Sequence, residues 1–139
     1  LTIHLTPSST VRVYCIYRPP QSSRHTFTSS DFLEEFLTLL ESAAVDVHPP
    51  ILLGDYNIHV DDSSDSFAQS FLNAVEALGF QQHVQGPTHR AGHTLDLVLS
   101  RKSEDIISHI SLLSSLPSDH YAILSTIITS KGLKTLKGK

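Results

Sequence analysis

The sequence contains no methionine, no tryptophan and a single cysteine, Cys15. A newly translated chain starts with methionine and this one starts with Leu1, so a processed chain or a fragment is expected. One cysteine excludes an internal disulfide framework and favours a reducing, intracellular setting. Cys15 lies in a β-like run and is expected to be a small buried hydrophobe. No apolar run reaches the roughly 18 residues that span a bilayer as a helix, so no membrane partner is expected. The opening LTIHLTPSST has neither a basic region nor a long apolar core, and no signal peptide is read there. Positive charge is also scarce: 10 Lys and Arg against 14 Asp and Glu leave a net charge of −4. Nucleic-acid binding would have to rest on a local patch or on metal ions. There is no internal repeat.

The 139 residues present suffice for one domain with a real core. Residues 11–17 (VRVYCIY) are β-branched and aromatic, and Arg18-Pro19-Pro20 stops them, which predicts a strand ending at Tyr17. Residues 1–10 give no signal, and 21–30 read as a surface loop. Asp31 is expected to cap a helix with Glu34 as its capping-box partner. Phe32, Phe36, Leu39, Leu40 and Ala43 recur at helical spacing, and His48-Pro49-Pro50 ends the run. Ile51, Leu52 and Leu53 form a short buried strand stopped by Gly54. A second helix is predicted over 66–78, with Ser66 and Gln69 as its capping box, Gly79 as its stop, and Phe67, Phe71, Leu72, Val75 and Leu78 as its core stripe. Residues 94–100 alternate, with Leu95, Leu97 and Leu99 on one face and Thr94, Asp96 and Val98 on the other. Further strands are predicted over 106–113 and 121–128. Strands alternating with two helices argue for a layered α/β or α+β domain.

The chemistry centres on ILLGDYNIH at 51–59. A carboxylate and an amide follow at once on the carboxyl end of a strand, where open α/β sheets tend to place their sites. If the chain stays extended, Asp55 and Asn57 project to the same side; an Asx turn is the competing reading. Asp96 sits in a strand where an unpartnered carboxylate is costly to bury. Asp119 and His120 lie in a loop entering the last strand. Brought together, these groups have what phosphodiester hydrolysis needs: an activated water and positive charge for the transferring phosphoryl group. Asp55 would orient or deprotonate the water, and Asn57 would fix the phosphate or that same water. His120 would bond phosphoryl oxygens or act as a general acid–base. Asp96 is the candidate carboxylate partner of His120, and Asp119 suits Mg2+, which prefers carboxylate oxygen and water. Two metal-site alternatives fare worse. An EF-hand loop on 55–66 would have Val60 in place of glycine and Ser66 in place of glutamate. A zinc site from His83, His89 and His93 has no cysteine partner and no HExxH pattern.

GDYN at 54–57, THRAGHTLDLVLS at 88–100 and SDH at 118–120 resemble the endonuclease/exonuclease/phosphatase superfamily. The likeness is greatest to the apurinic-type endonuclease domain of non-LTR (LINE) retrotransposons. YRPP at 17–20 and IHVDDSSD at 58–65 share this character, and the resemblance runs from about residue 11 to 128. It implies an α/β fold, a four-layer, DNase I-like α/β sandwich, with Mg2+-dependent nicking of DNA and Mn2+ as an alternative ion. By position, Tyr17 would contact the phosphate or nucleophile, Asp55 and Asn57 would serve the attacking water, and Asn57 and Thr88 would meet the substrate. Asp96 would orient His120, and Asp119 would lie next to the metal.

The sequence departs from the family pattern in one respect. The family's metal-binding glutamate on an early strand and its upstream asparagine have no counterpart before Val11. Glu34 and Glu35 come after the tyrosine segment, on a helix. The expectation is therefore that residues 1–128 are the carboxy-terminal part of the domain, lacking its amino-terminal strands, and that 129–139 are a basic linker or tail. The implied partners are DNA, the missing upstream half and a downstream reverse transcriptase, acting in the nucleus on genomic DNA. A non-catalytic remnant that at most binds, and a phosphatase of the same superfamily, are the rival readings.

Overall fold

The computed structural model describes residues 1–24 and 26–128; the expected tail at 129–139 lies outside the described residues. Seven strands and two helices follow one another as β1 (Thr2–Thr6), β2 (Ser9–Tyr17), α1 (Ser29–Ala44), β3 (Pro50–Asp55), α2 (Ser66–Ala77), β4 (Phe80–Gln82), β5 (Asp96–Arg101), β6 (Ile107–Leu113) and β7 (Ala122–Ile127). Five strands form one sheet in the order β1-β2-β3-β5-β4, and β6 and β7 form a separate antiparallel ribbon. β2 and β3 run parallel, as their connection through α1 requires, while β5 returns antiparallel to β3.

Alternation along the strands divides the core in two. On one face Leu52, Leu97 and Leu99 meet Phe36 and Leu40 of α1 and Phe71 of α2. Burying each of these side chains contributes on the order of 2 kcal/mol. On the other face Val11, Val13, Ile51 and Val98 pack with Val84, Ile106 and Ile107, and the partly buried Ile110 and Ile123 of the ribbon join them. Among the described residues the layers are therefore three: helices, five-stranded sheet, ribbon. The motif resemblance leads one to expect four.

Several local expectations are corrected. Residues 1–10 are not featureless: β1 pairs with β2, and its Ile3 and Leu5 pack against the second core. Thr28, not Asp31, caps α1. Its hydroxyl accepts from the Asp31 N–H at 3.1 Å, while the Asp31 carboxylate accepts from the Thr28 N–H at 2.8 Å. Asp31 thus fills the place expected of Glu34. Asp65, not Ser66, caps α2, its Oδ1 accepting from both Phe67 and Ala68 N–H. A carboxylate there also meets the positive end of the helix dipole, which a serine does not. Cys15 is exposed, not buried, because the ribbon's cover ends after Val13 on this face of β2.

β3 does not stop at Gly54. It continues to Asp55, with Gly54 opposite Ile16 of β2. Gly54 has φ +142°, and a Cβ built there would lie 1.9 Å from the Ile16 carbonyl oxygen. Neither the conformation nor the space admits a side chain. Gly54→Ala is expected to cost about 3 kcal/mol or more of unfolding free energy in a denaturant titration; a loss below about 1 kcal/mol would contradict this account of the β2–β3 contact.

Candidate active site

The strand registers set the site. Tyr17 pairs with Asp55 across β2 and β3, and Asp55 pairs with Asp96 across β3 and β5. In-register residues of neighbouring strands share a face, so the three form one row at one end of the sheet. They lie on the ribbon side, beyond the part of β2 that the second core covers, which leaves Tyr17 70% exposed.

The loop after the ribbon's first strand brings in the imidazole. His89 and His120 form an isolated antiparallel bridge. The Tyr121 N–H donates to the Thr88 carbonyl at 2.7 Å, and the Arg90 N–H to the Asp119 carbonyl at 2.7 Å. Segment 88–90 thereby holds segment 119–121. His120 Nδ1 lies 2.8 Å from Asp96 Oδ2, and its Nε2 lies 4.0 Å from Asp55 Oδ2. The first distance is a hydrogen bond and the second is too long for one. A single oxygen atom can reach both groups across that gap. The His89 ring stands edge-on to His120 with centroids 4.9 Å apart.

Thr88 does not line an outer surface. It is fully buried, and its Oγ1 accepts from the backbone N–H groups of Leu95 at 2.9 Å and Asp96 at 3.0 Å. That oxygen fixes the start of β5 and so supports the position of Asp96. Asn57 also departs from expectation. Its φ of +50° turns the chain, and its N–H donates to Asp55 Oδ1 at 2.9 Å. This is the Asx turn, which asparagine tolerates in the left-handed region; the two residues are not consecutive same-side positions of one strand.

Arg18, read from sequence only as a strand stop, holds that turn. Its N–H donates to the Asp55 carbonyl at 2.8 Å, Nη1 to the Asn57 carbonyl at 2.8 Å, and Nη2 to Ser29 Oγ at 2.9 Å. The guanidinium lies over the rings of Phe32 and Phe67, 5.2 and 5.3 Å from their centroids. These π faces and carbonyls compensate for burying the cation. Asp61 was likewise given no particular role by the sequence. It accepts from Thr94 N–H at 2.8 Å and lies 3.0 Å from His93 Nδ1, fastening the loop that leads into β5.

Burial pushes the Asp55 carboxyl above its usual range, and the Asp96 charge adds to this against the opposing Asn57 N–H and His120. The hydrogen bond that the His120 Nδ1–H donates to Asp96 pushes the imidazole above its usual range, against a smaller opposing effect of burial. Asp119 is held below the usual range by its own backbone N–H and by His89. Its side chain is 66% exposed, and its Oδ2 lies 3.3 Å from His89 Nε2. A raised carboxyl beside an imidazole kept in one orientation is suited to moving protons; the exposed, acidic Asp119 remains a charge.

Among the described residues, two groups have ligand atoms within 4.8 Å of one another: Asp55, Asp96 and His120, and His89, Asp119 and His120. Both combine carboxylate oxygen with imidazole nitrogen. The first supplies two carboxylates, and one or two carboxylates completed by water and phosphate suffice for a hard divalent cation. The donor sets therefore fit a divalent metal. His83, His89 and His93 do not converge: their rings contact Ser100, Asp119 and Asp61 respectively. In the 55–66 segment Asp61 and Asp65 are taken by Thr94 and by the α2 cap, so that no calcium loop forms.

A family model described as endonuclease-reverse transcriptase matches residues 11–124. The chain belongs to the endonuclease-reverse transcriptase family. The resemblance carried by GDYN, THRAGHTLDLVLS and SDH is borne out at that level. Among solved structures it is similar to the endonuclease domain of TRAS1, a telomere-specific non-LTR retrotransposon, with a TM-score of 0.75 at 17% identity. At that identity the likeness speaks for the fold. The match covers 92% of this chain and 60% of that one, so the chain spans about three fifths of the solved domain's length. No curated protein matches it in sequence.

For this family member the Asp96–His120 contact has a direct spectroscopic consequence. In metal-free buffer the His120 imidazole is expected to titrate above its ordinary 6.5, and Asp96→Asn is expected to bring it down. A raised histidine stabilises the fold fully below about 6.5, and that contribution is lost as pH rises through the raised value. Ring-proton NMR titration checks both statements. A His120 value at or below 6.5 in the unaltered chain would contradict them.

Proposed function

We propose that this chain is part of a divalent-metal-dependent DNA endonuclease domain that nicks phosphodiester bonds. The observation that carries the reading is the gathering of Asp55, Asp96 and His120 at one sheet end in a chain matched by an endonuclease family model. Asp55, with its raised affinity for protons, orients the attacking water and takes its proton. His120, held in one tautomer by Asp96, donates to the phosphoryl oxygens or protonates the leaving oxygen. The carboxamide of Asn57 and the hydroxyl of Tyr17 steady the phosphate. Mg2+, or Mn2+ in its place, would be held at Asp119 and would supply charge neutralisation at the transferring phosphoryl group.

The same reading takes the chain as the carboxy-terminal part of a four-layer sandwich, with the remaining strands and a further metal-binding glutamate upstream. The coverage of about three fifths of a solved endonuclease domain supports this. A reverse transcriptase downstream and action on nuclear DNA belong to the same proposal.

A plasmid-nicking assay with Mg2+ tests it, on this chain and on one extended upstream through the missing half. The extended chain is expected to nick. EDTA should stop the reaction, and Asp55→Asn and His120→Ala should each lower the rate by about a hundredfold or more. A well-folded extended chain that fails to nick would overturn the reading. Nicking by the short chain that depends on His120 would show that no upstream ligand is needed.

A further inference from the structure

A phosphate approaching Asp55, Asp96 and Asp119 meets three carboxylates, and the chain as a whole carries a net charge of −4. Besides any divalent metal, a fixed cation beside these groups would offset that repulsion for a DNA strand lying there. Of the described arginines and lysines, most are already committed. Arg12 lies 3.1 Å from Asp46, Lys102 lies 2.8 Å from Glu76, and Arg101 pairs with Glu104. Arg18 is buried between two rings. Two arginines remain exposed with no carboxylate partner among the described residues: Arg24, in the loop between β2 and α1, and Arg90.

Arg90 differs from Arg24 in where it is fixed. Its backbone N–H donates to the Asp119 carbonyl at 2.7 Å, and its Nη2 donates to the Ser118 carbonyl at 3.0 Å. Both ends of the residue are thus fastened to the turn that carries Asp119 and His120, and the adjacent His89 packs edge-on against His120. Only that one guanidinium donor is engaged among the described residues, which leaves the rest of the planar fork for an anion. A fork already held in place loses less freedom on binding, and its geometry matches two phosphate oxygens.

We infer that the Arg90 guanidinium contacts a backbone phosphate of the DNA and holds the strand against the Asp55–Asp96–His120 centre. This rests on the nuclease reading and adds to it the group that binds the substrate. It also places a fixed guanidinium on the turn that carries Asp119 and His120.

The experiment is fluorescence anisotropy of a short labelled DNA duplex, in EDTA so that no cleavage occurs, with the salt concentration varied. Each phosphate contact contributes about 0.9 to the slope of log K against log salt. Arg90→Gln is expected to make the slope shallower by about 0.9, and Arg90→Lys to keep it. Lys102→Gln removes the same charge at the far end of β5, where Glu76 already balances it, and is expected to leave the slope unchanged. A thermal melt of each variant accompanies the titration. An unchanged slope in Arg90→Gln, with or without a lowered melting temperature, would overturn the inference and leave Arg90 as a staple of the 118–120 turn. An equal change in Lys102→Gln would overturn it as well, since the effect would then be one of total charge. The nuclease reading fails separately, in the nicking assay with His120→Ala. No duplex binding by the unaltered chain would overturn the Arg90 contact outright.

Discussion

The antiparallel register that sets Asp55 of β3 opposite Asp96 of β5 is the constraint on which the rest of the molecule depends. Two carboxylates facing one another across a strand pair repel, and such pairs destabilise a sheet. Here the arrangement is tolerated because His120 sits against Asp96 at 2.8 Å and within 4.0 Å of Asp55. A slip of one residue would turn Asp96 to the helix side and take Leu97 and Leu99 away from the helices to the ribbon side. Both leucines are fully buried against the helices. The apolar core therefore enforces the polar geometry: packing α1 and α2 correctly is also what aligns the carboxylates.

The supports around that pair are mostly polar and largely buried, and most use a side chain to fix a backbone. Thr88 holds the N–H groups of Leu95 and Asp96. Arg18 holds the carbonyls of Asp55 and Asn57, while Asp61 holds Thr94. Gly54 permits the close approach of β2 just before Asp55. Removing one partner from such a network leaves another buried polar group unsatisfied, which costs more than the bond itself contributes. The site is accordingly braced where Asp55, Asp96 and His120 sit and open where Tyr17 and Asp119 are exposed.

Much of this was legible in the sequence, for identifiable reasons. Both helices announce themselves by apolar spacing, and the alternation of 94–100 puts Leu97 and Leu99 on one face and Asp96 and Val98 on the other, as the two cores show. The pairing of Asp96 with His120 follows from asking what a carboxylate in a strand requires. Other features were hidden because they depend on non-local contacts. Nothing near Thr88 tells that its hydroxyl turns inward to β5. The choice of Thr28 over Asp31, and of Asp65 over Ser66, as helix caps is one of neighbouring residues with similar propensities. Cys15 belongs to an apolar run, but its exposure depends on how far the ribbon reaches. Asn57 is ambiguous in sequence, since asparagine serves an extended strand end poorly and a left-handed turn well.

The most direct test of the central claim is whether Asp96 and His120 act as one unit in the reaction. The nicking rate of the upstream-extended chain would be compared with those of Asp96→Asn, His120→Gln and the double variant. Groups that work through one another are strongly non-additive. The account predicts that the double variant is hardly slower than the His120 variant alone. Rate losses that multiply, with the fold retained in all three variants, would show that the two residues contribute independently and would contradict it.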